Sequence, residues 1–263
     1  MIKFEPIDDG NSWSGSDWSI TNENELAKLI ARVALGQSRH ALKILNGTHA
    51  TSLIPAKTAL DGAINLLTAK DPAKPWHRDG WLFQVISWIA ANLQNPKTIK
   101  SAPHMIHAHK GFDGIHLQLD SSNTNVVSVV ICEEKATEGP RGKITSQVWP
   151  EFTEIESGSR DNELISELTN LLAMHGSVDS EQVVNKVLWN QARSYRVSIT
   201  IGDKEHSEEG RKILFGGYEK IVKNKKVNCR RAETFYQKDL RQWMKDMADK
   251  AIFAAKEMES ENV

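Results

Sequence analysis

From Asn22 onward, apolar positions recur at helical spacing. Leu26, Leu29, Ile30 and Val33 share one stripe, and Gly36 follows as a stop. A short second helical run covers Ala41 to Leu45 and ends at Asn46-Gly47. After Pro55, a third stripe carries Leu60, Ile64 and Leu67, ahead of Pro72 and Pro75. Residues 1–20 hold Gly10, Gly15 and several serines, and are expected to be an irregular arm tacked down by Trp13 and Trp18. Residues 1–75 therefore read as a helical N-terminal region.

The pattern changes at Trp76. The segment from Trp81 to Ala91 is apolar nearly all round, which predicts a buried helix. The alternation in Ile115-His116-Leu117-Gln118-Leu119 predicts a strand with one buried face. Ser121-Ser122-Asn123 reads as a turn, and the β-branched run Val126–Cys132 as a strand buried on both faces. Helical patterns follow near 161–174, ending at Gly176, and over 179–192. Next come a strand over Tyr195–Ile201, a short helix over Glu208–Phe215 and a basic, extended segment over 220–231. A last long helix carries Leu240, Trp243, Met244, Met247 and Ala251. Helices bracketing a small sheet predict an α/β or α+β domain over residues 76–263.

Composition narrows the function classes. About 40% of the 263 residues are hydrophobic and 25% charged, which excludes a wholly disordered chain. Lys and Arg total 33 against 34 Asp and Glu, so bulk positive charge does not coat a nucleic acid here, although a local basic cleft remains allowed. Cys132 and Cys229 are too few for a disulfide framework and fit a reducing cytoplasm. No apolar run reaches about 18 residues, so no membrane span is expected. The start, Met1-Ile2-Lys3-Phe4-Glu5-Pro6, lacks the apolar stretch of a secretory signal.

Asp113, Glu133 and Lys135 are the most informative residues. Asp113 opens a strand between Gly111 and Gly114, while Glu133 and Lys135 stand two apart at the end of the next. Side chains at i and i+2 share a sheet face, so a hairpin pairing of the two strands brings all three to one edge. Paired carboxylates bind a hard divalent cation through oxygen. Such a cation polarises a phosphoryl oxygen and acidifies a bound water. A lysine beside it stabilises the charge that develops on phosphate. These are the parts needed to hydrolyse a phosphodiester.

The order Asp, about twenty residues, then Glu133-Glu134-Lys135 resembles the PD-(D/E)XK nuclease superfamily, which includes restriction enzymes. The departure is Phe112, where members often have proline. The resemblance implies a restriction-endonuclease-like core, a small mixed sheet flanked by helices, and a Mg2+-dependent DNA nuclease in which Mn2+ is an acceptable substitute. It further implies Asp113 and Glu133 as metal ligands, Lys135 as the group assisting water or transition state, and Gln84, on the preceding helix, in support. The size and the helical lead-in also resemble the effector nuclease of bacterial anti-phage systems of the Hachiman type. That resemblance implies a cytoplasmic defence protein restrained by a partner such as a helicase. Two rival readings stay open: a nuclease acting on RNA, and a non-catalytic nucleic-acid-binding or adaptor subunit that keeps the fold.

Other residues carry weaker signals. Lys220 to Arg231 contains Lys220, Lys223, Lys225, Lys226, Arg230 and Arg231 with no acid, which suits contacts to a phosphate backbone. Lys110 and Arg141 flank the triplet and are placed to grip a strand near the cut. His104, His107, His109 and His116 cluster in sequence but lack the spacing of a structural zinc motif. Cys132 lies in an apolar strand and reads as a buried thiol. Trp81, Trp88 and Trp243 read as packing residues.

Overall fold

The computed structural model describes residues 1–48, 53–121, 125–173, 183 and 192–260. Its strands are β1 (Ile2–Asp8), β2 (Ser14–Ile20), β3 (Ile99–Lys100), β4 (Gly114–Leu119), β5 (Val126–Lys135), β6 (Arg193–Ile201) and β7 (Arg230–Tyr236). They form one seven-stranded sheet in the order β1-β2-β7-β6-β5-β4-β3. The strands β2, β7, β6 and β5 run parallel to their neighbours within that group, and antiparallel pairs close both edges. The expected mixture of helices and sheet is present.

The helices are α1 (Glu23–Ala34), α2 (Ser38–Leu45), α3 (Lys57–Leu67), α4 (Trp76–Gln94), α5 (Pro140–Lys143), α6 (Trp149–Glu156), α7 (Asp161–Ala173), α8 (Glu208–Phe215), α9 (Tyr218–Ile221) and α10 (Leu240–Ser260). A π-helical turn, Ile144–Val148, joins α5 to α6. The start of α1 is fixed by Asn22, whose side chain accepts from the Glu25 amide. Ser207 does the same for α8 through the Gly210 amide.

Two apolar layers cover the sheet. On one face, Leu82, Ile86 and Ile89 of α4 pack with Leu26 and Ile30 of α1, Met244 and Met247 of α10, and Trp18 and Phe235 of the sheet. On the other, Ile131, Val197, Ile199 and Ala232 meet Phe152 of α6, Leu164 and Leu168 of α7, and Phe215 and Tyr218. Each fully buried aliphatic or aromatic side chain contributes roughly 1.5–3 kcal/mol of transfer free energy. Helix α4 is buried nearly all round, as its apolar pattern predicts.

Residues 1–20 correct the expectation of an irregular arm. They form the hairpin of β1 and β2, and β2 joins the sheet beside β7. Gly15 is what permits that join, because a Cβ there would lie 1.7 Å from the Ala232 carbonyl oxygen. Pro6 is tolerated because β1 is an edge strand. The expected 220–231 segment is also corrected: it begins in α9, and Arg230 and Arg231 open the interior strand β7. Strand β6 is buried along its whole length, its polar positions included. The turn expected at Ser121-Ser122-Asn123 and the helix expected over 179–192 fall largely outside the described residues, as does the Gly176 stop. No helix among the described residues is long and apolar enough to cross a membrane.

Candidate active site

Strands β4 and β5 pair antiparallel with Gly114 opposite Cys132, which sets Asp113 beside the end of β5. Gly111 shapes the approach. Its φ of +132° is one that other residues rarely adopt, and a Cβ there would press on His109 at 3.1 Å. Gln84 of α4 holds the backbone, donating through Nε2 to the Asp113 carbonyl at 2.8 Å.

The three residues singled out in the sequence converge. Lys135 Nζ donates to Glu133 Oε2 at 2.5 Å and to Asp113 Oδ2 at 3.0 Å. The Glu134 amide donates to the same Asp113 oxygen at 2.9 Å. One ammonium thus spans both carboxylates, while a backbone amide fixes the rotamer of one. Glu133 is only 1% exposed, so it is no solvated strand-end residue; Asp113 and Lys135 are 25% and 20% exposed and open the set to solvent.

Burial pushes the Glu133 carboxyl well above its usual range, and the neighbouring charge of Asp113 adds to this against the attraction of Lys135. For Lys135, burial alone favours the neutral amine, but Glu133 and then Asp113 reverse that and hold it well above the ordinary lysine range. A buried carboxylate that is costly to ionise gains most from a second cation nearby.

The donor set fits a hard divalent cation. Asp113 and Glu133 offer oxygen ligands within reach of one positive group. Among the described residues no three His, Cys, Asp or Glu side chains form a metal cage. Mg2+ needs none, since it is commonly bound by one or two carboxylates, waters and substrate phosphate.

Sequence reasoning missed the acidic and basic groups behind the triplet. The charge of Glu151, on α6, also raises the Glu133 carboxyl. Glu151 is held by Arg160 at 2.5 Å, and Arg160 also binds Glu163 and covers the Phe112 ring at 4.4 Å. These contacts come from loops and helices far apart in sequence, and no local motif announces them.

The remaining candidates divide. Lys110 is exposed. Arg141 uses Nη1 to hold the carbonyls of Leu214 and Gly216, at 2.8 and 3.0 Å. In the basic segment, Lys223 and Lys226 are exposed, as is Lys220. Lys225 instead donates to the Arg193 carbonyl at 2.8 Å and pairs with Glu156 at 3.3 Å. Arg230 is buried and binds the carbonyls of Asn11, Ser12, Val222 and Lys225. Arg231 reaches Glu233 at 3.3 Å. The picture of six free cations is therefore corrected, because a buried guanidinium in contact with carbonyls on four sides cannot meet phosphate. Cys132 is fully buried, and burial pushes its thiol far up. His116 lies 3.5 Å from its Sγ, while His104 and His109 stack on each other with ring centroids 3.5 Å apart.

Compared with protein-family models, curated proteins and solved structures, the chain matches none of them.

Proposed function

We propose that the chain is a Mg2+-dependent nuclease of the PD-(D/E)XK kind, with a restriction-endonuclease-like core, that hydrolyses phosphodiester bonds in DNA. The observation that carries this reading is the Lys135 ammonium bridging Asp113 and Glu133 where the start of β4 meets the end of β5. Asp113 and Glu133 would hold the metal, which supplies Lewis acidity toward a phosphoryl oxygen and acidifies a bound water. Lys135 would keep an ammonium beside the reacting phosphate and stabilise the charge developing there. The Glu134 amide and Gln84 hold Asp113 in place from its side chain and its carbonyl.

The test is plasmid DNA incubated with the chain in Mg2+, Mn2+ or EDTA. The expected outcome is metal-dependent nicking that is lost in Glu133→Gln. Cutting that persists in EDTA, or in Glu133→Gln at the wild-type rate, removes this reading. Adding a helicase to the same assay tests the restraint that the resemblance to defence effectors implies.

A further inference from the structure

Trp76 is 49% exposed, at the first turn of α4. The other described tryptophans are buried or half-buried. Half of the indole stands in water, where its flat face is open to a stacking partner. The residue is also rigidly mounted. Pro75 precedes it, and the Asp79 amide bonds back to the Pro75 carbonyl.

The ring stands between two grooves. One, of about 430 Å³, is shared with Lys135 and with Lys143 and Gln147 beside the π-helical turn. The other, of about 330 Å³, is lined on the far side by Lys70, Lys74 and His107. Lys70, Lys74 and Lys143 form no ion pair among the described residues. Two acids border the grooves. Asp71 caps the Ala73 amide, and Glu134 turns away toward Ser87 and Arg196. Arg241, also in the first groove, is neutralised by Asp79 and Glu138.

We propose that Trp76 is a stacking platform for an unpaired base, and that the grooves on its two sides carry the flanking phosphates of a single-stranded segment into the Asp113–Glu133–Lys135 site. The proposal rests on the nuclease reading for where the strand leads, but the binding itself does not require catalysis. A flat ring between free ammonium groups matches the alternation of base and phosphate in a strand. In a duplex both faces of each base are covered by neighbours, so the ring has nothing to stack on except at an end. The groove walls mix Ala69, Ala108 and Ala136 with Lys70, Lys74 and Lys143, and the lysines favour an anionic strand over an apolar peptide. The backbone chemistry is shared by DNA and RNA, so both are probes.

The experiment measures binding of fluorescently labelled 12-nucleotide oligo-dT, 12-nucleotide oligo-rU and a blunt two-strand duplex of 12 base pairs to the full chain in EDTA. Stacking of one base supports an affinity loss of about tenfold on truncation. The expected result is that Trp76→Ala weakens oligo-dT, oligo-rU or both by about that factor, that Trp76→Phe restores most of it, and that the duplex loses much less. Equal loss on duplex and single strand, no loss in Trp76→Ala, or no binding of either oligonucleotide by the wild-type chain overturns the proposal. Oligonucleotide binding through Trp76 without any cutting in Mg2+ would leave this site standing and sink the nuclease reading. Cutting that is indifferent to Trp76→Ala, with unaltered oligonucleotide binding, would do the reverse.

Discussion

Two charged clusters sit back to back at the end of β5. On one face, Lys135 joins Glu133 and Asp113. On the other, Arg196 lies 3.5 Å from Glu134 and 3.9 Å from Glu233 under α4, with its guanidinium over the Trp18 ring. The ingredients are similar, a cation between two carboxylates, although Glu233 also takes Arg231 at 3.3 Å. Access differs. Asp113 and Lys135 keep a quarter and a fifth of their side chains in solvent, whereas Arg196, Glu134 and Glu233 keep almost none. Glu134 Oε2 and Arg196 Nε and Nη2 have no hydrogen-bond partner among the described residues. The sealed cluster can therefore only hold β5, β6 and β7 in register beneath α4. The open one can admit a phosphate. Successive residues 133 and 134 serve different ends because a strand turns alternate side chains to opposite faces.

The largest expected effect breaks the sealed side. Arg196→Ala leaves Glu134 buried without its cation and Glu233 with Arg231 alone, and removing one partner of such a set costs about 3–5 kcal/mol. Urea unfolding followed by circular dichroism measures this. A cost below that of Glu133→Gln on the open side would show that the two clusters are not different in kind.

Next in size is the open side. Glu133→Gln keeps shape and the Lys135 contact but removes the charge that a metal needs. Cleavage should fall by about 10²–10³-fold, while stability changes little because a buried amide costs less than a buried carboxylate. Initial rates on plasmid DNA at matched folded fraction check it.

A smaller effect concerns pH. Lys100, on β3, donates to the carbonyls of Asn95 and Thr98, at 2.6 and 3.1 Å. Burial, with Arg196 next, pushes its amine down to about 7, while Cys132 works slightly the other way and Arg231 lowers it further. His116, which pairs with Lys100 across the strands, is itself held neutral, chiefly by burial. Below about pH 7 both folded and unfolded chains carry the Lys100 proton, and the cost of burying the charge is present in full. Between about 7 and the ordinary lysine value of 10.5 the unfolded chain binds the proton and the folded chain does not, so stability rises with pH. The gain is on the order of 2 kcal/mol, trimmed by partial solvent access to the amine. Lys100→Met should flatten that rise in urea titrations run across the window. An unchanged slope would place the amine in water.

The open cluster was legible in the sequence because its residues are few, ordered and tied to strand spacing: Asp113, Glu133 and Lys135 follow from a hairpin and an i, i+2 rule. The sealed cluster was not, because Arg196 reads as a polar position of an alternating strand that, with Arg193, adds to the basic segment, and no expected element covers Glu233. Only their burial on one sheet face, opposite Ser87 of α4, reveals the network. The hairpin of β1 and β2 was hidden for a related reason. Gly15 and the serines around it look like loop residues, yet the close approach to Ala232 requires a residue without a side chain. Strand β7 was masked by charge, since Arg230, Arg231 and Glu233 all find partners that the sequence does not show.

The smallest expected effect carries the same contrast between open and sealed charge into residues 220–231. Lys220, Lys223 and Lys226 face solvent, whereas Lys225 and Arg230 are spent on backbone carbonyls. Only the exposed lysines can release counterions from a bound duplex. Each phosphate contact contributes about −0.9 to the slope of log affinity against log salt. Lys223→Gln with Lys226→Gln should therefore flatten the slope by at most about 1.8 and weaken all sequences alike, with the fold intact. Arg230→Gln should act through stability instead, because it strands the carbonyls of Asn11, Ser12, Val222 and Lys225 that tie the N-terminal hairpin to β7. Binding titrations of a duplex between 50 and 200 mM salt, in EDTA, separate the two. A flattened slope in Arg230→Gln at full folding, with none in the double lysine variant, would mean that the buried and exposed cations have been assigned the wrong way round.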